Sequence, residues 1–249
     1  MAVWLWFWIR EDRKNPEPKR LIWEVFLGGA LAVVAAYFLS REVCTLPWLS
    51  TTCMELKSID WANRSLLSLI FDLRTAGLLK FKIIFLIWAM IEETLKFLAV
   101  YLIAFRRPEF DEPIDAMIYM LTAALGFAAL ENSLFLFNSV FDAKSSAVFL
   151  LTGNMRFLGA NLVHVVSSAL VGGFVALAFC FNKWRRRTYL YFGLIIASVL
   201  HAIFNLLIMF RGDENMFLIF LLLWLCAIFV IWLFERVKTI ICLKTSDLS

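Results

Sequence analysis

The chain is short of most of what a soluble protein of its size relies on. Only 18% of its 249 residues are charged, against roughly 25% in soluble globular proteins. That lack excludes intrinsic disorder, which needs high charge and low hydrophobicity. Five cysteines are too sparse for a disulfide scaffold. Five prolines leave the apolar runs unbroken, and no internal repeat divides the sequence into copied halves, so the signature of a two-repeat transporter is missing. Histidine occurs only twice, at His164 and His201. What fills the gap is hydrophobic: 62% of residues, with 25 Phe, 10 Trp and a mean hydropathy of +0.81. A soluble chain of this length could not bury so much apolar surface.

Six apolar runs reach the roughly 20 residues that a membrane-spanning helix needs: about 21–39, 78–105, 114–140, 155–181, 189–210 and 216–234. Lipid offers the backbone no water, so each run is expected to be helical. The fold class expected is therefore all-α, a polytopic integral membrane helix bundle of about six spans. An N-terminal interfacial helix precedes them in the stretch 1–9, MAVWLWFWI. It is too short to span and has no basic region before it, which favours an anchor at headgroup depth over a signal peptide. The organisation expected is a cytoplasmic or interfacial segment, 1–20, and one membrane domain, 21–249. Within that domain lie an outer segment, 40–77, and a core, 78–210, that carries the unusual polar residues.

The net charge of +4 does not mark a nucleic-acid binder, because the basic residues sit in short clusters between apolar runs. Cytoplasmic connections of membrane proteins carry such an excess. Segments 10–20, 106–113, 182–188 and the tail after 234 hold fourteen Lys and Arg. The short connections near 141–154 and 211–215 hold only Lys144 and Arg211. Four more in 40–77 are offset by Glu42, Glu55, Asp60 and Asp72. Both termini therefore read as cytoplasmic, in a multi-pass protein of the cell membrane. The 40–77 segment then lies outside, with an amphipathic run Arg64–Leu73 suited to the bilayer surface. Cys44 and Cys53 fall in it, either bridged in an oxidising envelope or as two free thiols.

The informative residues are polar groups inside the spans. Glu92, Glu93 and Lys96 lie near the centre of the second, Glu131 and Asn132 in the third, His164, Ser167 and Ser168 in the fourth, and His201 and Asn205 in the fifth. A charge at mid-bilayer costs about 2.5–3.5 kcal/mol on insertion scales. Four of them facing lipid would cost on the order of 10 kcal/mol, as much as a typical fold's whole stability. They are expected to face inward and pair. Residues three or four apart share a helix face, so Lys96 can bridge either glutamate, while His164 joins Ser168 and His201 joins Asn205. All share a depth band between the bilayer centre and the outer leaflet.

Such a set suits peptide hydrolysis, which needs a base for water, a donor to the leaving amine and polar groups for the oxyanion. Glu93 is favoured over Glu92 as the base. Two chemistries stay open: a glutamate-dependent hydrolase without metal, or one divalent metal such as zinc on Glu131, His164 and His201 with a second glutamate as base. Each motif also has a plainer reading. The α-helical Glu–Lys cluster can be a buried ion pair, and a lone intramembrane His a satisfied core group. Ser167, Ser168 and Asn132 can be interhelical hydrogen-bonders, and Glu112 and Asp115 caps for the third helix.

Taken together, Glu92-Glu93-Thr-Leu-Lys96, Phe127-xxx-Glu131-Asn132, His164 with its following Ser and Gly, and His201-xxx-Asn205 resemble the PrsW family of intramembrane proteases. These are distant relatives of the CAAX prenyl proteases and CPBP proteins. The stretch from Asp111 to Tyr119 and on to Leu125-Gly126-Phe127-Ala128 is similar too, so the likeness covers about residues 80–205. It implies cleavage of membrane-anchored protein substrates near the extracytoplasmic side, typified by site-1 cleavage of anti-sigma factors. Catalytic residues implied are Glu92, Glu93, Glu131, His164, His201 and Asn205, with Lys96, Asn132 and Ser168 in support. Glu131 stands where the CAAX branch has His, which weighs against prenylated substrates. Two other classes remain to be told apart from a protease: a proton- or ion-coupled transporter, and a catalytically silent membrane scaffold.

Overall fold

A computed structural model describes residues 16–58, 76–141, 146–211 and 216–242. The interfacial helix expected at 1–9 and the amphipathic run at 64–73 lie outside the described residues. Among those residues the chain forms seven helices: α1 (Lys19–Val43), α2 (Pro47–Ser58), α3 (Ala76–Ile103), α4 (Pro113–Phe141), α5 (Ser146–Leu177), α6 (Lys183–Arg211) and α7 (Met216–Val237). Each of the six long ones overlaps one of the six apolar runs, although α5 starts nine residues before the run expected at 155 and takes in most of the connection expected at 141–154. Five are long and apolar enough to cross a membrane. The other, α3, is 28 residues long and carries Glu92, Glu93 and Lys96 in its middle. The expectation of an all-α, multi-pass helix bundle holds.

At the centre of the bundle is α4. Nearly every side chain from Ile114 to Ala128 is buried, whichever way it points. The cause is residue size. Small residues let helix backbones approach closely in an apolar medium, where no hydrophobic force draws helices together. A methyl group on Gly126 would meet the Phe26 carbonyl of α1, and one on Gly29 would meet the Ala123 carbonyl of α4. On the other side, a methyl on Gly172 of α5 would press on Ala116 and Met117. Both neighbours of α4 thus pack backbone against backbone. Any side chain at these three glycines would wedge the bundle apart.

The start of α4 is closed by its own sequence. Pro113 opens the helix, where its missing N–H costs nothing. Asp115 then turns back, and one carboxylate oxygen accepts from the backbone N–H groups of Asp111 (3.0 Å) and Glu112 (2.7 Å). The capping role expected of Asp115 is the one it plays. Nearby, Tyr119 donates to the buried Glu17, and Arg107 pairs with Glu24 of α1 at 2.6 Å. These links join the α3–α4 connection to the start of α1, at the end of the bundle that carries the basic clusters. At the opposite end a disulfide joins Cys44 to Cys53. It holds α2 against α1, and Leu49 and Cys53 of α2 pack on Ile84 of α3.

Candidate active site

Four helices converge where the intramembrane charges lie. Residues 93 and 96 are one turn apart on α3, and both side chains are fully buried. Lys96 donates to Glu93 at 2.6 Å. An isolated buried ion pair gains little over an apolar pair, unless further hydrogen bonds satisfy the carboxylate. Here they do. The hydroxyls of Ser167 (2.7 Å) and Ser168 (2.8 Å) on α5 donate to its two oxygens. His201 Nδ1 of α6 lies 2.9 Å from the oxygen that Lys96 also contacts. Glu93 therefore ties α3, α5 and α6 together through four polar partners.

His164 occupies the other half of the site. Its Nδ1 lies 3.2 Å from the Lys96 ammonium and its Nε2 lies 2.6 Å from Glu131 of α4. The two imidazoles meet edge to face with centroids 4.9 Å apart. Phe127 walls the site on the α4 side, against His164 and under the Lys96 ammonium. Toward the end away from the basic clusters, Asn132 donates to Asn161 at 3.0 Å and braces α4 on α5.

Glu92 stands apart from this closed network. Its side chain is 18% exposed, and one oxygen is 3.6 Å from His201 Nε2. That oxygen is buried with no hydrogen-bond partner. Buried polar groups in folded proteins nearly always find partners, so an orphan needs a reason. Four such side-chain atoms occur among the described residues: Trp88 Nε1, Glu92 Oε2, Glu109 Oε2 and Ser198 Oγ. Trp88 is one turn from Glu92 on α3, and Ser198 one turn from His201 on α6. Of the four, Glu92 Oε2 is the one that lies beside a site histidine, which marks it as able to receive a polar guest.

Of the expected site residues, the structure brings Glu92, Glu93, Lys96, Glu131, His164, His201 and Ser168 into one cluster. Asn132 is its brace. Asn205 lies one turn along α6 from His201, partly exposed, and makes no hydrogen bond to the cluster among the described residues. Sequence reasoning passed over Asn161 and Ser198. Each sits three residues before a site histidine, a spacing that would have flagged it. Glu92, His164 and His201 each offer one ligand atom, all within 4.8 Å of one another. This trio differs from the one expected from sequence by having Glu92 in place of Glu131, whose carboxylate is on His164 instead.

The depth of the cluster follows from helix arithmetic. Glu93 is thirteen residues from Arg106, His201 fourteen from Arg187, His164 fourteen from Ala178 and Glu131 sixteen from Asp115. At about 1.5 Å per residue, all four lie about 20–24 Å from the basic end. A bilayer's hydrocarbon core is about 30 Å thick. The site belongs to the half of the bundle remote from the basic clusters.

Residues 17–233 match the family described as PrsW family intramembrane metalloprotease. The chain is 32% identical to Protease PrsW of Geobacillus kaustophilus, over 58% of its own length and 60% of the relative's. It is 29% identical to Protease PrsW of Clostridioides difficile, over 50% and 51%. Protease PrsW of Halalkalibacterium halodurans is 25% identical over 58% and 64%. The matched regions thus span between half and two thirds of these curated relatives, and no solved structure matches. With the match running over most of its length and through every helix of the cluster, the chain belongs to the PrsW family.

Proposed function

We propose that this protein is an intramembrane endopeptidase that hydrolyses peptide bonds of membrane-anchored proteins near the extracytoplasmic side of the bilayer. The observation that carries the reading is the unsatisfied Glu92 oxygen, buried beside His201 in a cluster whose other carboxylates are engaged. The residues fit the metal that the family description names. Two His and one Glu form a donor set used by catalytic zinc sites. Their donor atoms lie within 4.8 Å of one another, and the Glu92 orphan would gain a partner. His201 is backed by Glu93 through Nδ1, the carboxylate–histidine pairing that orients metal-ligating imidazoles. His164, by contrast, has both nitrogens engaged, by Lys96 and Glu131, and would release one of them to the ion. Glu92, His164 and His201 would hold a divalent ion such as zinc, which would polarise the scissile carbonyl and acidify the attacking water.

The chain's own groups do the rest. Glu131 is the most exposed of the three carboxylates, at 36%. It takes the proton from water as the oxygen adds to the carbonyl carbon, and returns it to the amine as the C–N bond breaks. Asn205 donates to the carbonyl oxygen as charge builds there. Glu93, with all its partners committed, neutralises Lys96 and holds His201 rather than meeting substrate. This division of labour moves the chemistry from Glu93, favoured on sequence, to Glu92 and Glu131.

The basic end is cytoplasmic by its excess of Lys and Arg, so the cluster's depth lies in the outer half of the bilayer. Water and an unwound peptide reach it by the shorter route from outside. Substrates are single-span or tail-anchored proteins cut in their outer membrane-proximal segment, in the manner of anti-sigma-factor site-1 cleavage. Metal analysis of the purified protein, with chelator inhibition of cleavage of a candidate membrane substrate, tests the site. Mass spectrometry of the products tests the side. A cut on the cytoplasmic side of the substrate's span, or full activity without any bound metal and in the Glu92→Gln variant, overturns the reading.

A further inference from the structure

The structure contains a second disulfide, joining Cys180 to Cys242 with a Cα–Cα distance of 5.4 Å. Cys180 follows α5, where Phe179 packs edge-on against Phe110 of the α3–α4 connection. That connection holds Arg107 on Glu24, at the start of α1. Cys242 follows α7, whose last turn and Ile240 pack on the same core. The pair therefore lies at the end where α1 begins. Cys44–Cys53 lies where α1 finishes, 25 helical residues away. At about 1.5 Å per residue, that separation exceeds the thickness of the hydrocarbon core.

Two disulfides on opposite faces of a membrane cannot both be in an oxidising compartment. Disulfides persist outside the cytoplasm and are reduced inside it, so whichever way the bundle is inserted, one of them faces reductant. The charge distribution says which. The Cys180 end carries Arg106, Arg107, Arg185, Arg186, Arg187 and Arg236, whereas the described residues near Cys44 carry Arg41, Lys80 and Lys82. The basic side is the cytoplasmic one. Cys180 and Cys242 are both exposed, open to small oxidants and to a reducing enzyme. The remaining thiol, Cys226, is half-buried within α7 and unpaired.

We propose that Cys180 and Cys242 form a reversible oxidation site on the cytoplasmic face, a dithiol at rest and a disulfide under hydroperoxide. One thiolate attacks the peroxide, the O–O bond breaks, and the sulfur becomes a sulfenic acid as the first water leaves. The second thiolate attacks that sulfur, the S–O bond breaks, and the S–S bond forms with release of a second water. Two thiols lose two electrons and two protons, and hydrogen peroxide becomes two waters. Exchange with a dithiol of the thioredoxin class reverses the step. Closure ties the chain beyond α7 to the end of α5 across 62 residues.

The test uses the full chain in intact cells, in a Cys226→Ser background. Acid quenching followed by a mass-tagged maleimide counts free thiols before and after a hydrogen peroxide pulse. Expected are two tags at rest, none after peroxide, and two again after recovery, with Cys44 and Cys53 untagged throughout. Cys180→Ser should leave one tag at rest and form no intramolecular disulfide after peroxide. Protection of Cys180 and Cys242 at rest would overturn the proposal, as would their continued tagging after peroxide. So would tagging of Cys44 and Cys53 in their place, which would reverse the orientation. None of these readouts depends on proteolysis, so the proposal stands or falls apart from the protease reading.

Discussion

The two ends of α4 each carry an acidic side chain, buried at Asp115 and partly exposed at Glu131, and they use them in opposite ways. At the basic end Asp115 accepts two backbone N–H groups and closes the helix, while Tyr119 donates to Glu17. Those groups serve the chain's own shape. At the far end Glu131 holds His164, and across from it an oxygen of Glu92, 3.6 Å from His201, is left without a hydrogen bond. Glu109 Oε2 also lacks a hydrogen-bond partner near the basic end, but Glu109 sits in the connection between α3 and α4, away from the imidazoles. The lesson is that buried charge alone does not separate structure from chemistry. Closure of the hydrogen-bond set does: full closure marks a strut, and an orphan among imidazoles marks a site.

The sharpest way to break that contrast is at adjacent residues. Glu92→Gln removes the orphan's negative charge and leaves the strut alone. Cleavage should fall by about 10³-fold or more, as for loss of a group acting on the reacting atoms, with thermal stability within about 1 kcal/mol of the parent. A kinetic assay beside a melting curve checks both. Glu93→Gln should also abolish cleavage, yet by a different route. Lys96 would be left buried without its counter-charge, at a cost of about 3–5 kcal/mol. Adding Lys96→Met should restore most of the stability and none of the activity. Equal melting temperatures for Glu92→Gln and Glu93→Gln would show that the strut and the site are not distinct.

Much of this was legible in the sequence. Charges in apolar runs are costly enough that Glu92, Glu93, Lys96 and Glu131 had to meet, and the two histidines had few other uses. What could not be read was the split between the glutamates. Lys96 is three residues from one and four from the other, a tie that local geometry cannot resolve. It is resolved by Ser167 and Ser168, more than seventy residues away in sequence, whose hydroxyls select Glu93. The centrality of α4 was hidden for a related reason. Lipid is as apolar as a protein core, so α7, with Phe217 82% and Trp224 51% exposed, has the same apolar character as a buried helix. Only the small residues of α4, around Ala123 and Gly126, told the two apart.

Smaller effects test the cap that α2 forms at the end away from the basic clusters. Breaking the Cys44–Cys53 bridge with Cys53→Ser frees α2 from α1, and α2 is what rests on Ile84 of α3. The loop it closes is short, nine residues, so the loss expected is about 2–3 kcal/mol. Because α3 also carries Glu92, cleavage should weaken a few-fold through looser positioning without a change in metal content. Unchanged melting with lost metal would instead make the α2 cap part of the site.

The smallest effect belongs to the strut at the basic end. Asp115→Asn keeps an acceptor oxygen for the N–H groups of Asp111 and Glu112, and Asp115→Ala removes it. Loss of such a cap costs about 0.5–2 kcal/mol, so the alanine variant should melt lower and the asparagine variant close to the parent. Asp115 is sixteen residues from Glu131 on the same helix, about 24 Å at about 1.5 Å per residue. Neither variant should alter metal content, and kcat measured well below the melting transition should stay within about twofold of the parent. A tenfold loss in kcat with normal melting would mean that the acids at the basic end act on the chemistry after all. The two ends of α4 would then be one functional unit.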